Sequence, residues 1–264
     1  MDPILISDAG HIRTITLNRP EYRNALSPAM QYALIAALED AASTNSVRVL
    51  VFTGAGSAFC AGLDLSALKN VEMLQDTSSP EAKELADNTH RFSRILRTIY
   101  ELPKPTIAAV NGHAIAGGTG IATVCDLTLA VPEAKFGYTE VKIGFVPAVV
   151  SVFLSMQVGE RRARELLLTG RLFSAEYAHH LGLVTELVGP AELKTRVQEL
   201  AESLVANSPT SLRDTKALLA DQYREWLDRS IELSLAASAE SRKTPDFLEG
   251  ITAFLDKRKP KWAE

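Results

Sequence analysis

The stretch that decides the fold is Thr106-Ile-Ala-Ala-Val-Asn-Gly-His-Ala-Ile-Ala-Gly-Gly-Thr-Gly-Ile-Ala-Thr-Val-Cys-Asp126, a strand, a glycine-rich turn and a helix in succession. The apolar, β-branched run from Thr106 to Val110 predicts a buried strand. The turn spans Gly112 to Gly120, and a helix of small residues from about Gly118 to Val124 begins inside it. Free backbone N–H groups and the positive helix end meet there, which predicts a site for negative charge.

Two phosphate-binding motifs fail in this turn on a required residue. Gly112 and Gly117 have the spacing of a Walker loop, but Gly118 occupies the lysine position. In a dinucleotide fingerprint the third glycine would fall at Thr123. The remaining candidate is an oxyanion that forms during a reaction and is held by backbone N–H groups. A tight turn that only packs a helix on a strand remains the alternative.

The composition bounds the class of protein. The 264 residues suffice for one large or two smaller domains, and 46% apolar residues is ordinary for a globular protein. A net charge of −4 and a pI of about 5.8 give no attraction to nucleic acid or to a membrane surface. Cys60 and Cys125 lie in apolar sequence, and no signal-peptide pattern is seen, so reduced thiols and a cytoplasmic location are expected.

The periodicity along the chain predicts an α/β core followed by helices. A hairpin is expected over residues 4–17 with its turn at Asp8-Ala9-Gly10, and Ser27 is expected to cap a helix. Asp64 is expected to cap a short helix after residue 64. Further strands are predicted at 47–53, 127–131, 134–136 and 183–187, and helices at 81–101, 147–156, 161–169 and 174–181. Four more helices are predicted over 191–258, so we place a boundary near residue 200, giving a core of residues 1–200 and a helical region of residues 201–264.

A second small-residue loop and one carboxylate complete the candidate chemistry. The loop from Phe59 to Asp64 also follows a strand, and two such loops in one chain suggest a paired oxyanion hole. Glu140 lies in largely uncharged sequence, where an apolar pocket would raise its pKa and suit it to proton transfer near neutral pH. A surface ion pair of Glu140 with Lys135 or Lys142 is the alternative.

Other chemistry is not indicated. No Gly-x-Ser-x-Gly nucleophile elbow occurs, and the five histidines show neither His-Glu-x-x-His spacing nor a Cys/His cluster, so no metal site is expected. No internal repeat or low-complexity segment is found.

Five motifs together resemble the enoyl-CoA hydratase/isomerase (crotonase) family. They are Leu17-Asn-Arg-Pro20, Phe59-Cys-Ala-Gly-Leu-Asp-Leu65, Asn111-Gly-His-Ala-Ile-Ala-Gly-Gly118, Phe136-Gly-Tyr-Thr-Glu140 and Phe254-Leu-Asp-Lys-Arg-Lys259. They follow the order and spacing of the family over nearly the whole chain. The resemblance implies a spiral of β-β-α turns, C-terminal helices that build a homotrimer or a dimer of trimers, and an acyl-CoA thioester substrate without a further cofactor.

The resemblance also implies roles for particular residues. The backbone N–H groups of Ala61 and Gly117 would hold the thioester oxygen, and Glu140 would transfer protons. Substrate-binding roles are implied for the segment Ala61, Gly62, Leu63 and Asp64, for Gly117, and for Phe254 and Lys257 at the CoA end. No nucleic-acid or membrane partner is implied.

One position departs from the family's hydratases. They usually carry a second glutamate where this chain has Gly120, and the family's double-bond isomerases use one carboxylate, as Glu140 would be here. Gly144-Phe-Val-Pro-Ala-Val-Val-Ser151, however, resembles hydratases of branched enoyl-CoAs such as methylglutaconyl-CoA hydratase. We therefore expect a hydratase of short or branched 2-enoyl-CoAs, with a Δ3-Δ2-enoyl-CoA isomerase as the second candidate and a non-catalytic acyl-CoA-binding protein as the candidate from another class.

Overall fold

A computed structural model of the chain describes residues 2–66, 71–76 and 78–262, in which the strands form two sheets. The larger sheet has the order β1-β2-β3-β5-β7-β10 and the smaller one the order β4-β6-β8-β9. The strands are β1 Ile4–Ala9, β2 Ile12–Leu17, β3 Val49–Gly54, β4 Ala58–Cys60, β5 Thr106–Val110, β6 His113–Ile115, β7 Leu127–Ala130, β8 Lys135–Gly137, β9 Phe173–Ser174 and β10 Glu186–Leu187.

Consecutive strands alternate between the sheets, and this alternation makes the fold a spiral. Each turn places one strand in the larger sheet and the next in the smaller sheet, as β3 and β4, β5 and β6, and β7 and β8 do. Strands β2, β3, β5, β7 and β10 are parallel, and only β1 is antiparallel to its neighbour in that sheet. The predicted α/β spiral of β-β-α turns is confirmed. Strand ends of both sheets therefore meet in one region, which is where the candidate site lies.

Serine and threonine caps with proline at the first helical position begin several helices. Ser27 accepts a hydrogen bond from the Met30 amide, as predicted, and Ser79 caps in the same way. Ser174 caps a helix that begins with Ala175 instead of proline. The helices are α1 Pro28–Ser43, α2 Pro80–Glu101, α3 Gly117–Val124, α4 Ala148–Thr169, α5 Ala175–His180, α6 Leu193–Val205, α7 Pro209–Asp221, α8 Arg224–Ser241 and α9 Pro245–Leu255. Helix α4 is interrupted at Gly159, whose φ of 74° is not helical, in agreement with the two helices predicted there.

Three short strands and one turn differ from the sequence prediction. Strands β4, β6 and β9 have two or three residues, too few for periodicity to reveal them. The hairpin turn is Gly10-His11 instead of Asp8-Ala9-Gly10, because Ala9 pairs with Ile12 and Gly10 supplies the positive φ of 60° that the turn requires. The helix that Asp64 was expected to cap falls on residues 67–70, which lie outside the described residues.

The C-terminal helices pack on the same core as the sheets. Leu227 and Ile231 of α8 and Ala201 of α6 belong to one continuous cluster of buried residues with the strands. Helix α9 forms a smaller cluster through Phe247 and Ile251. The predicted boundary near residue 200 falls inside α6, which runs unbroken from Leu193 to Val205, and the division into two regions stays a prediction.

Candidate active site

A cavity of about 350 Å³ lies between the ends of the strands and helices α2, α4, α8 and α9. Its wall is mostly apolar, with Leu65, Phe92 and Val149 among the lining residues. Glu140 is the only carboxylate among the described residues that line it. The arrangement therefore offers one carboxylate for proton transfer in a mostly apolar cavity.

The first free amide in the cavity belongs to Gly117, the first residue of α3. Ala116 precedes the helix with φ of 51°, and the first bond of the helix runs from the Gly120 amide to the Ala116 carbonyl. The amides of Gly117 and Gly118 therefore have no acceptor within the helix. Gly117 lines the cavity, and a Cβ on it would lie 3.0 Å from the Phe92 ring, so the site is tight around this N–H.

The second free amide belongs to Leu63, and the prediction of Ala61 as a donor is wrong. The Ala61 N–H donates to the Arg23 carbonyl at 3.0 Å, so its single hydrogen is already bound. Leu26 donates to the Gly62 carbonyl and accepts from the Asp64 amide. In this parallel arrangement the N–H of the residue between them points away from Leu26. The Leu63 amide has no acceptor among the described residues, and Leu63 lines the cavity.

The two loops are in close contact. A Cβ on Gly62 would lie 3.2 Å from the Gly117 amide nitrogen, and a Cβ on Gly118 would lie 2.2 Å from the Cys60 carbonyl oxygen. Backbone packs on backbone at both points, which only glycine permits. The sequence suggested a paired site but could not bring the loops together; in the structure they are neighbours.

The Leu17-Asn-Arg-Pro20 motif and the residues after it hold the first loop in place. Arg19 donates to the Asp64 carboxylate at 2.7 Å and to the Ala25 carbonyl at 2.8 Å. Asn24, fully buried with φ of 57°, donates to the carbonyls of Ala58 and Phe59. The side chains of Arg19 and Asn24 thus hold the loop from Phe59 to Asp64 in place without lining the cavity themselves.

Glu140 begins a 3-10 turn, Glu140–Ile143, directly after β8. Its Oε2 is buried and makes no hydrogen bond to any described residue. Burial raises the pKa of Glu140 to about 7, although a hydrogen bond from its own amide acts in the opposite direction. No ion pair joins it to Lys135 or Lys142 within the described chain, so the surface-pair alternative is not supported. Near neutral pH Glu140 can both accept and return a proton.

Helix α9 supports the Glu140 turn through two more glycines. A Cβ on Gly144 would lie 2.3 Å from the Asp246 carbonyl, and a Cβ on Gly250 would lie 2.3 Å from the Ile143 carbonyl carbon. The C-terminal helix therefore packs with its backbone against the segment that carries the carboxylate.

The space around Gly120 is filled. A Cβ there would lie 2.8 Å from a methyl group of Val150 and 3.5 Å from Leu96 and Phe92. The usual second glutamate is thus absent from the sequence, and Val150 crowds the position of the first atom that such a side chain would add.

Only some of the other predicted binding residues line the cavity. Phe254 is half exposed and lines the cavity, and Ala61 also lines it. Gly62, Asp64 and Lys257 do not line it, and Lys257 is exposed just after α9 with φ of 55°. Phe92, Thr89 and Ser238 also line the cavity and were not predicted from the sequence, because only the fold brings α2 and α8 there.

Neither a metal centre nor a membrane span is found in the part of the chain that the structure describes. No three His, Cys, Asp or Glu side chains there are grouped as metal ligands. Within the same residues, every helix is too short or too polar to cross a bilayer.

Comparison with known proteins agrees with this geometry. The sequence profile of the family described as enoyl-CoA hydratase/isomerase matches residues 8–264. The chain belongs to the enoyl-CoA hydratase/isomerase family. It is accordingly an enzyme of the hydro-lyase or isomerase type, with the fold of that family.

Individual relatives cover the chain almost completely. A putative enoyl-CoA hydratase of Thermus thermophilus is 46% identical over 97% of this chain and 98% of its own. A 1,2-epoxyphenylacetyl-CoA isomerase of Escherichia coli is 34% identical over 95% of this chain and 94% of its own. The crystal structure of an enoyl-CoA hydratase from Mycobacterium avium superimposes with a TM-score of 0.85 at 33% identity, over 99% of both chains. Family members thus include both hydratases and isomerases.

Proposed function

We propose that this protein is a hydratase of short or branched 2-enoyl-CoA thioesters. Glu140 carries the proposal, because it is a carboxylate with a buried, unpartnered Oε2 and a pKa near 7 in an apolar cavity. Leu63 and Gly117 line the same cavity, and their amides, which have no acceptor among the described residues, would donate to the thioester oxygen. Such preorganised donors stabilise negative charge where it develops in the transition state.

The proposed reaction uses these three groups and one water molecule. Glu140 as carboxylate takes a proton from water while the oxygen bonds to C3, and the electron pair of the double bond moves to the thioester oxygen as an enolate. Leu63 and Gly117 hold that oxygen. Protonated Glu140 then gives the proton to C2, which restores the carboxylate and adds one water in total. The proton transfers involve no change of oxidation state, so no redox cofactor is needed.

A single carboxylate also suits the second candidate, a Δ3-Δ2-enoyl-CoA isomerase. Glu140 would remove a proton from C2 of a 3-enoyl-CoA and return it to C4 of the resulting dienolate, whose thioester oxygen the same two amides would hold. The packing around Gly120 favours this candidate, since a side chain at that position would first have to displace Val150. The 46% identical relative named as a putative hydratase supports hydration as the first candidate.

Product mass distinguishes the two reactions. The enzyme is incubated with matched 2-enoyl- and 3-enoyl-CoAs of straight and branched chains, and the products are identified by mass spectrometry and chromatography. We expect 2-enoyl-CoAs to gain the mass of one water. Conversion of 3-enoyl-CoAs at unchanged mass, without hydration, would establish the isomerase, and failure with every thioester would refute both.

The two donors can be tested by replacing single backbone amides with esters. An ester at Leu63 removes only its N–H, and we expect turnover to fall roughly 10²- to 10³-fold, as for one lost oxyanion donor. The matched control is an ester at Ala61, which loses the bond to Arg23 and about 1 kcal/mol of stability. Turnover of that control should stay within a few-fold of the parent. The reverse outcome would restore Ala61 as the donor.

We further propose that the protein is a homotrimer or a dimer of trimers, with Phe254 and Lys257 near the CoA end of the site. Large apolar side chains are exposed on α7 and α8, among them Leu218, Leu219 and Trp226. Exposed groups of this kind are typical of an interface. Sedimentation measurements should give three or six chains; an active monomer would contradict the proposal.

A further inference from the structure

One wall of the cavity is polar, and the proposed chemistry does not use it. Thr89 of α2 and Ser238 of α8 line the cavity, and Arg242 lies behind them at the end of α8. We call these three residues the polar corner. Thr89 lies one helical turn, about 4.5 Å of helix rise, before Phe92, whose ring adjoins Gly117. Thr89 and Ser238 therefore share one cavity with Gly117 and Leu63, the residues of the proposed thioester donors.

Arg242 is a largely buried guanidinium without a carboxylate. Its Nη2 donates to Thr89 Oγ1 at 2.5 Å and to Ser238 Oγ at 3.1 Å. Its Nε is buried and has no acceptor among the described residues, and no described carboxylate forms an ion pair with it. Burial lowers the pKa of Arg242, since nothing nearby compensates the charge. Buried Arg13 and Arg91, in contrast, each pair with an acidic side chain.

The two hydroxyl groups differ in what they can offer a ligand. Thr89 donates its hydrogen to the Leu85 carbonyl at 3.2 Å. Ser238 accepts from Arg242, and its own hydroxyl hydrogen has no acceptor in the described part of the chain. Ser238 is buried and lines the cavity. It can therefore donate into the cavity, and the adjacent positive charge strengthens that donation.

We propose that the polar corner binds a carboxylate at the far end of the acyl group, so that the preferred substrates are CoA monothioesters of unsaturated dicarboxylic acids. The inference rests on the proposed function only in that the substrate is an acyl-CoA. A buried cation without a counterion is costly, and a carboxylate arriving with the substrate supplies the missing charge. An apolar chain end would leave Arg242 unpaired and the Ser238 hydroxyl without an acceptor.

Binding of saturated thioesters tests the proposal without any turnover. Glutaryl-CoA and 5-methylhexanoyl-CoA have the same chain, with a carboxylate in one and an isopropyl group of the same shape in the other. Adipyl-CoA and 6-methylheptanoyl-CoA form the next longer pair. We expect the wild-type enzyme to bind the acid of at least one pair more tightly, by roughly 10- to 100-fold, the scale of one charged hydrogen-bonded contact.

Substitutions in the polar corner test whether its residues cause the preference for the acid. Arg242→Met and Ser238→Ala should each lower the affinity for the preferred acid, by roughly 10- to 100-fold and 3- to 10-fold, and leave its apolar partner within about threefold. Arg224→Met, an exposed arginine of the same helix paired with Asp221, is the control and should change neither. Lys142→Met removes the one lysine or arginine side chain among the described residues that line the cavity. Circular dichroism and melting temperature verify the fold, and Ser238→Ala gives the answer if Arg242→Met does not fold.

Three outcomes would overturn the proposal. They are equal or weaker binding of both acids by the wild type, an unchanged preference in the folded corner variants, and a preference lost in Lys142→Met but kept in Arg242→Met. Hydration of apolar enoyl-CoAs without any preference for the acids would refute this inference and leave the proposed function intact. Selective binding of an acid without turnover of any enoyl-CoA would refute the proposed function and leave this inference intact.

Discussion

Glu140 and Asp64 are two acidic residues near the same cavity, and their surroundings give them opposite properties. Asp64 is largely buried, but hydrogen bonds from Ser66 and Arg19 outweigh the effect of burial and lower its pKa. Glu140 Oε2 is buried without a partner, and burial raises its pKa to about 7. Burial alone therefore does not decide the role of a carboxylate; the donors around it do. Asp64 holds a loop, and Glu140 is available for proton transfer.

The strongest test of this contrast is Glu140→Gln. The substitution keeps the size of the side chain and removes the acid–base group, so turnover should fall roughly 10²- to 10⁴-fold. Acyl-CoA affinity, measured by calorimetry on the same preparation, should change little, because the amides of Leu63 and Gly117 remain. Turnover within a few-fold of the wild type would mean that the base lies elsewhere, and loss of affinity together with turnover would make Glu140 a structural residue.

The pH dependence of kcat/KM should report Glu140 and not Asp64. Hydration begins with the carboxylate form, so kcat/KM should rise about tenfold per pH unit below about 7 and level off above it. Between pH 5 and pH 7 this amounts to roughly 100-fold. An inflection near pH 4 or below, in the ordinary range of a solvated carboxylate, would contradict the assignment.

Asp64→Asn should have a smaller effect on catalysis. It removes the charge opposite Arg19 and loosens the loop that carries the Leu63 amide, so we expect turnover to fall roughly tenfold, about 1.4 kcal/mol. The pH profile should keep its inflection near 7, because Glu140 is untouched. A loss as large as that of Glu140→Gln, or a displaced inflection, would show that Asp64 takes part in proton transfer.

The stability changes in the two variants should have opposite signs. The pKa of Glu140 is raised in the folded protein, so its contribution is full below about pH 4.5 and is lost as the pH rises through 7; Glu140→Gln should therefore stabilise the protein at pH 8. The pKa of Asp64 is lowered, so its contribution is present above pH 3.8 and Asp64→Asn should destabilise at pH 8. Each change should be on the order of 1–3 kcal/mol by denaturant unfolding. A change in stability of the same sign in both variants at pH 8 would contradict the contrast between the two carboxylates.

The fold was largely predictable from sequence because its signals are local. The buried run at Thr106–Val110, the glycines that follow it and the Ser27 cap with Pro28 each specify their own structure, and the structure has them. The smaller sheet was not predictable, since strands such as Ala58–Cys60 are too short for a period to appear.

The site was predictable only where one residue determines the geometry. Gly117 begins its helix, and its free amide follows from that position alone. Leu63 was missed because the direction of its N–H depends on Gly62, whose φ of 87° reverses the alternation of amides in the loop, and on the distant pairing with Leu26. The polar corner could not be predicted for the same reason, because Thr89 and Arg242 are far apart in the sequence.

The packing around Gly120 also restricts how the family's two-glutamate chemistry could return to this chain. Gly120→Glu alone would drive a side chain into Val150, whose methyl group lies 2.8 Å from the position of a Cβ. Shortening Val150 alone would leave a cavity and place no carboxylate in it. We therefore expect the two positions to be epistatic, with Gly120→Glu tolerated better beside a smaller residue at position 150 than beside valine. A protein engineer who wants the second carboxylate would begin with both residues together.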